Sequence, residues 1–399
     1  MLIDKSPGSM NAATLPVLWL TLAVSSLVVI EPAPYDILVL LALLGFFLTG
    51  MRIPRAIQLP ALFAMLFIVG NALASALAVD PVDTIRSLSI RIYMVMAWFF
   101  FVCVIAMSPG RVLPTLWSGY TFAAVFAVTW ATLEYFGFIS TGDWPQGWRA
   151  RGPFKDPNVY GPFLVPVAVY AVSRVATGHR YGFTLFLPLF LLFSFGILIS
   201  FSRGAWLNYF GSLVIFFALF FLSDKAARSR VRMLAAGLVL TCCAALMVVL
   251  AVSNERVGGL FFERAAIVQK YDVAQGGRFY SQQLALQTAA QQPWGIGPGR
   301  SDAEFGLEPH NLYLHVLVEG GWLSAIGFYT LILLSFYRIR PLVGRNFPYR
   351  AEAFVVIAGL TGILAQSFFI DSTHWRHLWL LVAMLWGLIA ISGKFSPKI

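Results

Sequence analysis

Apolar residues run through this chain in long unbroken stretches, not in the short alternation of strands or the one-sided stripe of a soluble helix. Twelve stretches stand out, at 14–30, 34–50, 57–79, 85–107, 112–136, 159–176, 181–201, 205–223, 233–253, 312–336, 351–370 and 377–392. A helix rising about 1.5 Å per residue needs about 17–25 such residues to cross a hydrocarbon core of about 30 Å. In lipid every backbone amide must find an internal partner, which leaves helix bundles or closed barrels. Continuous apolar runs select the first. The expected fold is all-α: a polytopic membrane bundle of about twelve transmembrane helices.

Most connections are short. One of about 22 residues joins the fifth and sixth spans, and one of about 58 joins the ninth and tenth, which divides the chain into 1–253, 254–311 and 312–399. The long connection has a pattern of its own. Residues 260–275 mix apolar and charged positions at helical spacing, and 278–292 read as a second helix stopped by Pro293. Both suit amphipathic helices lying on a membrane surface. Gly295, Gly297 and Gly299 then predict a flexible turn into the tenth span. No repeat relates the two halves.

Composition agrees with the pattern: 59% of residues are hydrophobic and 12% charged, against roughly 25% charged in a soluble domain. The net charge of +10 does not imply nucleic acid, because basic residues here mark topology. One set of alternate loops carries Arg52, Arg55, Arg111, Arg174, Arg180, Lys225, Arg228, Arg230, Arg232, Arg338, Arg340, Arg345 and Arg350, and the termini add Lys5, Lys394 and Lys398. That side is assigned to the cytoplasm, with both termini on it. Most acids fall on the other side. No cleavable signal peptide is expected, since insertion continues past the first apolar run. Cys103, Cys242 and Cys243 all lie within apolar runs and are expected to be buried small hydrophobes, with no disulfide or metal spacing.

The informative residues break this charge pattern. Arg86, Arg91, Arg149, Arg151, Lys155 and Arg203 sit on the acid-rich side in or beside short loops. Arg91 lies inside the fourth span, roughly 7.5 Å below Arg86 along the axis, where an arginine costs about 2.5–3.5 kcal/mol on insertion scales. Snorkelling accounts well for Arg86. A cationic pocket for a lipid phosphate or diphosphate is the sharper reading, because guanidinium groups suit bidentate phosphate binding.

Two further groupings carry chemistry. At the entry to the tenth span, Pro309 is followed by His310 and Asn311, with His315 and Glu319 one turn apart. A neutral imidazole at His310 suits a base for a sugar hydroxyl, whereas His315 reads as an interfacial polar residue. The loop 371–377 holds Asp371, His374, Arg376 and His377. Asp371 can orient a histidine or neutralise an arginine; two histidines at i,i+3 are weak evidence for a metal. Trp144, Trp148 and Trp294 read mainly as interfacial aromatics.

Five motifs together resemble the O-antigen ligase and O-antigen polymerase superfamily: RGPFKDPNVYG at 151–161, SFSRGAWLN at 200–208, GGRFYSQQLAL at 276–286, QQPWGIGPG at 291–299 and HNLYLHVLVEGG at 310–321. The likeness covers roughly 85–392. It implies a C-type glycosyltransferase architecture at the periplasmic face of the bacterial inner membrane. The donor would be a glycan on undecaprenyl diphosphate and the acceptor a sugar hydroxyl of lipid A–core, with inversion, no metal and no nucleotide. Matched residue by residue, Arg203 and Arg278 would clamp the diphosphate and His310 would act on the acceptor. Asp371 resembles a family acid. Charge placement adds Arg86, Arg91, Arg151 and Lys155 to the substrate-binding set, and Asn311 joins it beside His310. The polymerase branch, joining lipid-linked repeats, is the alternative. A twelve-helix transporter is a more distant one, disfavoured because the charges crowd one face instead of the midplane.

Overall fold

The computed structural model describes residues 14–48, 50, 52–140, 149–223, 227–253, 255–265, 277–344 and 347–395. All regular structure among them is helical. The helices are α1 Thr14–Ala23, α2 Pro34–Leu48, α3 Gln58–Leu77, α4 Pro81–Met107, α5 Pro109–Tyr135, α6 Pro157–Ala176, α7 Leu187–Ile199, α8 Arg203–Ser223 and α9 Ala227–Val252. They continue with α10 Glu255–Ala265, α11 Arg278–Gln291, α12 Leu312–Tyr337, α13 Arg350–Gln366 and α14 Arg376–Ser392. A helix lies at every one of the twelve apolar runs. Among the described residues seven helical stretches are long and apolar enough to cross a membrane; α1, α2 and α14 are shorter apolar helices.

The molecule is a polytopic membrane helix bundle. Its outer surface carries large apolar side chains such as Leu44, Phe47, Val214 and Leu333. So much exposed apolar area is costly in water and suits lipid. The central helix is α6, buried along nearly its whole length against α7, α8 and α13. Around it α3 packs along α12, α4 along α14, α1 along α5 and α8 along α13. The α3–α12 contact is close because glycines face it: a Cβ on Gly70 would lie 2.3 Å from the Ser324 nitrogen. Small residues at such a crossing let two backbones approach where no water drives association.

Cross-links sort the loops into two ends. At one end Arg86 donates to Glu31 at 2.9 Å, Arg376 grips Asp36 through two hydrogen bonds of 2.7 and 2.5 Å, and the Leu312 N–H reaches the Ser367 carbonyl. At the other, Arg174 meets Glu352 at 3.5 Å. Each of these links joins segments that the charge pattern puts on the same side. Helix starts at the first end are written in the sequence. Asp80 and Asp156 each precede a proline and accept the N–H two residues on, at 3.1 and 2.8 Å. This is N-capping with proline at the first helical position, which is pre-set for helix and has no amide to satisfy.

Several expectations change. Cys103 is buried, but Cys242 lies on an exposed face of α9, and the side chain of Cys243 lies outside the described residues. The amphipathic stretch 260–275 begins as α10, Glu255–Ala265; residues 266–276 lie outside the described set, as do Trp144 and Trp148. The second loop helix is present as α11. The glycine turn is docked, not free. Gly321 breaks α12 with φ 71°, and the loop inserts there: Ile296 N–H bonds the Val318 carbonyl at 2.9 Å, Gly297 N–H that of Glu319 at 3.0 Å, and Trp322 N–H that of Pro293 at 2.9 Å. Backbone groups freed by the break thus find partners in the loop.

Candidate functional site

Two cavities open at the acid-rich end and share His310 and Asp156 on their walls. The smaller, about 390 Å³, collects cations: Arg149, Arg203 and Arg278 all line it. They arrive from three places. Arg203 opens α8, after a reversal in which Phe201 takes φ 46° and Ser202 accepts the Ala205 N–H at 3.3 Å. Arg278 opens α11. Arg149 is fixed by donating to the Ser200 carbonyl at 3.1 Å and to Asn158 Oδ1 at 2.7 Å. Two helix N-termini, with their partial positive charge, therefore converge with three guanidinium groups, an arrangement that holds anions.

His310 is positioned as firmly. Gln282, one turn beyond Arg278, donates to the Pro309 carbonyl at 3.0 Å, and His310 itself has φ 45°. That left-handed conformation is rare for a residue with a Cβ and costs about 1–3 kcal/mol, so the surrounding structure must impose it. Both non-glycine residues with positive φ among the described ones, Phe201 and His310, line this cavity. Burial first, and Arg278 next, push the His310 imidazole below its ordinary 6.5. It is therefore neutral at pH 7, the form that accepts a proton.

The larger cavity, about 870 Å³, has a mixed lining. Glu31, Asp36, Asp371 and Glu308 supply carboxyl groups and Phe154, Tyr93 and Trp375 aromatic surface. Its cations are already matched: Arg86 and Lys155 both sit on Glu31, and Arg376 on Asp36. Lys155 first among its neighbours holds the Glu31 carboxyl below its usual range, whereas burial raises Glu308.

Behind this wall lies a buried charged cluster. Glu319, fully buried, takes the Gly299 N–H at 2.7 Å, the Ser301 hydroxyl at 2.7 Å and the Arg91 guanidinium, which also donates to Asn71. His315 Nε2 lies 3.1 Å from Glu319 and 3.5 Å from Asp371. Asp371 accepts the N–H and hydroxyl of Thr373 at 2.9 and 2.8 Å and meets His374 Nδ1 at 3.3 Å. Burial alone would raise the Asp371 carboxyl; His315, His374 and Thr373 outweigh it and hold it far below the carboxylate range.

The structure thus brings Arg203, Arg278 and His310 together and separates the rest of the expected set. Arg86, Lys155 and Asp371 belong to the larger cavity. Arg91 lines neither cavity; it is locked to Glu319 within the bundle. Arg151 approaches Glu134 at 3.9 Å and lines neither. Asn311 caps α12, accepting from Tyr313 and Leu314 and donating to the Phe368 carbonyl at 3.1 Å, so its amide is used in holding the helix start. His315, read as an interfacial residue, is buried between two carboxylates; its i,i+4 spacing from Glu319 was the available signal. Arg149 was visible only as one more cation on the unexpected side. Among the described residues no group of three or more His, Cys, Asp or Glu is placed to hold a metal ion.

Residues 188–329 match the protein family described as O-antigen ligase. This segment includes Arg203, Arg278, His310 and Glu319 and is narrower than the 85–392 over which the motifs resemble that superfamily. No curated protein matches the chain.

Proposed function

We propose that this chain, whose residues 188–329 match the family described as O-antigen ligase, is a glycosyltransferase of the ligase type, moving a glycan from undecaprenyl diphosphate to a sugar hydroxyl of lipid A–core at the periplasmic face of the inner membrane. The observation that carries this reading is the joining of two unlike cavities at His310: one lined by Arg149, Arg203 and Arg278, the other by carboxyl groups and aromatic rings. The first suits a diphosphate, the second a hydroxyl-rich saccharide.

In the proposed reaction the acceptor oxygen bonds to the anomeric carbon from the side opposite the diphosphate. The carbon–oxygen bond to the diphosphate breaks, and its electron pair leaves on the phosphate oxygen. The acceptor proton passes to Nε2 or Nδ1 of His310. One displacement inverts the anomeric carbon. Charge builds on the departing diphosphate, and preorganised guanidinium groups stabilise it there without reorganising.

The test is deletion of the gene followed by analysis of lipid-linked glycans. Full-length polymer stranded on its carrier is the expected result. Accumulation of single repeats, with one repeat on the lipid core, would instead assign the polymerase reaction. Cell envelopes with unaltered lipid-linked glycans would remove glycosyl transfer as the function.

A further inference from the structure

The larger cavity contains one arrangement that the diphosphate site does not use. His374 projects from the loop between α13 and α14, its side chain 57% exposed, and its Nδ1 lies 3.3 Å from an Asp371 carboxylate that is only 5% exposed. The carboxylate is fixed independently by Thr373 and His315. An ionised carboxylate accepts only. Nδ1 therefore donates to the carboxylate, and Nε2 is left for a second hydrogen bond. One turn on, His377 lines the same cavity, stacked on Trp375 at 5.1 Å and edge-on to Phe163 at 5.9 Å. Its Nε2 is buried without a hydrogen-bond partner among the described residues. A buried polar atom left unpaired costs about 1–3 kcal/mol, and in a residue that lines a cavity a small shift of the ring lets a ligand hydroxyl satisfy it.

We propose that His374, oriented by Asp371, and His377 form the acceptor-reading wall of the larger cavity, bonding hydroxyl groups of the incoming saccharide and setting it beside His310. The assignment rests on the larger cavity being the acceptor side of the proposed transfer. Two imidazoles over aromatic surface suit a neutral, hydroxyl-bearing ring better than an anion, since every cation near them is already matched by a carboxylate. A surface histidine paired to an aspartate three residues back is the ordinary alternative. It gives no reason for the unpaired nitrogen of His377.

Two variants test the wall. Asparagine keeps an amide nitrogen near the Nδ1 position, so His374→Asn retains the bond to Asp371 and removes Nε2. His377→Phe keeps the ring against Trp375 and removes both nitrogens. Delipidated core oligosaccharide is titrated calorimetrically into the full-length protein in detergent, alongside steady-state transfer with donor and acceptor varied separately. Each variant should weaken oligosaccharide binding about tenfold, about 1.4 kcal/mol, and raise the acceptor KM in proportion with the donor KM unchanged. His377→Phe should also raise the unfolding temperature, because an unpaired buried nitrogen is gone. His374→Gln, which restores an amide near Nε2, should recover part of the binding. Unchanged oligosaccharide affinity in either variant, or a wild-type protein that does not bind the oligosaccharide, overturns the proposal. A wild-type protein that binds it, weakened in both variants, but transfers no glycan leaves the wall standing and removes the ligase reading.

Discussion

Arg91 on α4 and Glu319 on α12 lie 228 positions apart in sequence and form an ion pair inside the bundle, with side chains 5% and 0% exposed. Glu319 also holds the Gly299 and Ser301 amides, so this one carboxylate ties two membrane helices to the exit of the loop that carries Arg278 and His310. Removing one member of a buried pair leaves the other uncompensated, at about 3–5 kcal/mol. Arg91→Met and Glu319→Gln should each lower the unfolding temperature of the purified protein sharply. The double variant should recover only part of the loss, because the loop amides still lack their acceptor. Full recovery would mean that Glu319 serves Arg91 alone.

The cationic cavity predicts a graded response. Arg203→Ala and Arg278→Ala should abolish transfer at near-normal protein levels, and Arg149→Ala should reduce it strongly and weaken binding of the lipid diphosphate donor. Lysine should recover little at positions 203 and 278, since a point charge lacks the planar fork. Transfer assays with each lysine variant decide this; full activity in both would reduce the site to charge alone. Added EDTA should leave the wild-type rate intact.

His310 needs a substitution that respects its backbone. Asparagine tolerates the left-handed region far better than alanine does, so His310→Asn separates chemistry from backbone strain. It should slow transfer about 10²–10⁴-fold, the range of a lost general base, and leave donor affinity intact. Donor binding measured on the same preparation checks the claim. Lost affinity with activity rescued at high donor concentration would place His310 in the diphosphate site.

The depressed basicity of His310 fixes the sign of the pH response. Its folded value lies below 6.5 through burial and then Arg278, so transfer should hold as the pH falls through 6.5 and fail only below it. Arg278→Gln removes one cause, and binding measurements on this variant should show the His310 titration, followed by NMR, moving upward. Stability follows the same sign. The unfolded chain takes the proton first, so this residue's contribution is present above 6.5 and is lost as the pH falls through the folded value.

Orientation can be read by labelling. In a variant without cysteine, Val79→Cys and Tyr337→Cys present exposed thiols, 95% and 80% exposed in the native residues, at opposite ends of the bundle. A membrane-impermeant maleimide on whole cells with a permeabilised outer membrane should label position 79 and not 337. The reverse pattern would put the cavities in the cytoplasm, where no glycan is presented for ligation.

By itself the sequence determined the elements. Length and continuity of the apolar runs gave a helix at each of twelve places, because a bilayer core has one thickness and backbone amides in it have no partner but each other. It also marked the end of α11 before Pro293, since proline acts on neighbouring residues. Motifs picked out Arg203, Arg278 and His310. Contacts between distant segments were decided only by tertiary packing. Arg91 and Arg203 look alike in sequence, each a cation on the wrong side of a membrane helix; one faces Glu319 in the packed bundle and the other faces a cavity. His315, His374 and His377 differ in the same way. Which of them meets a carboxylate, a ring or open space depends on how α12 and α14 pack, and local spacing does not encode that.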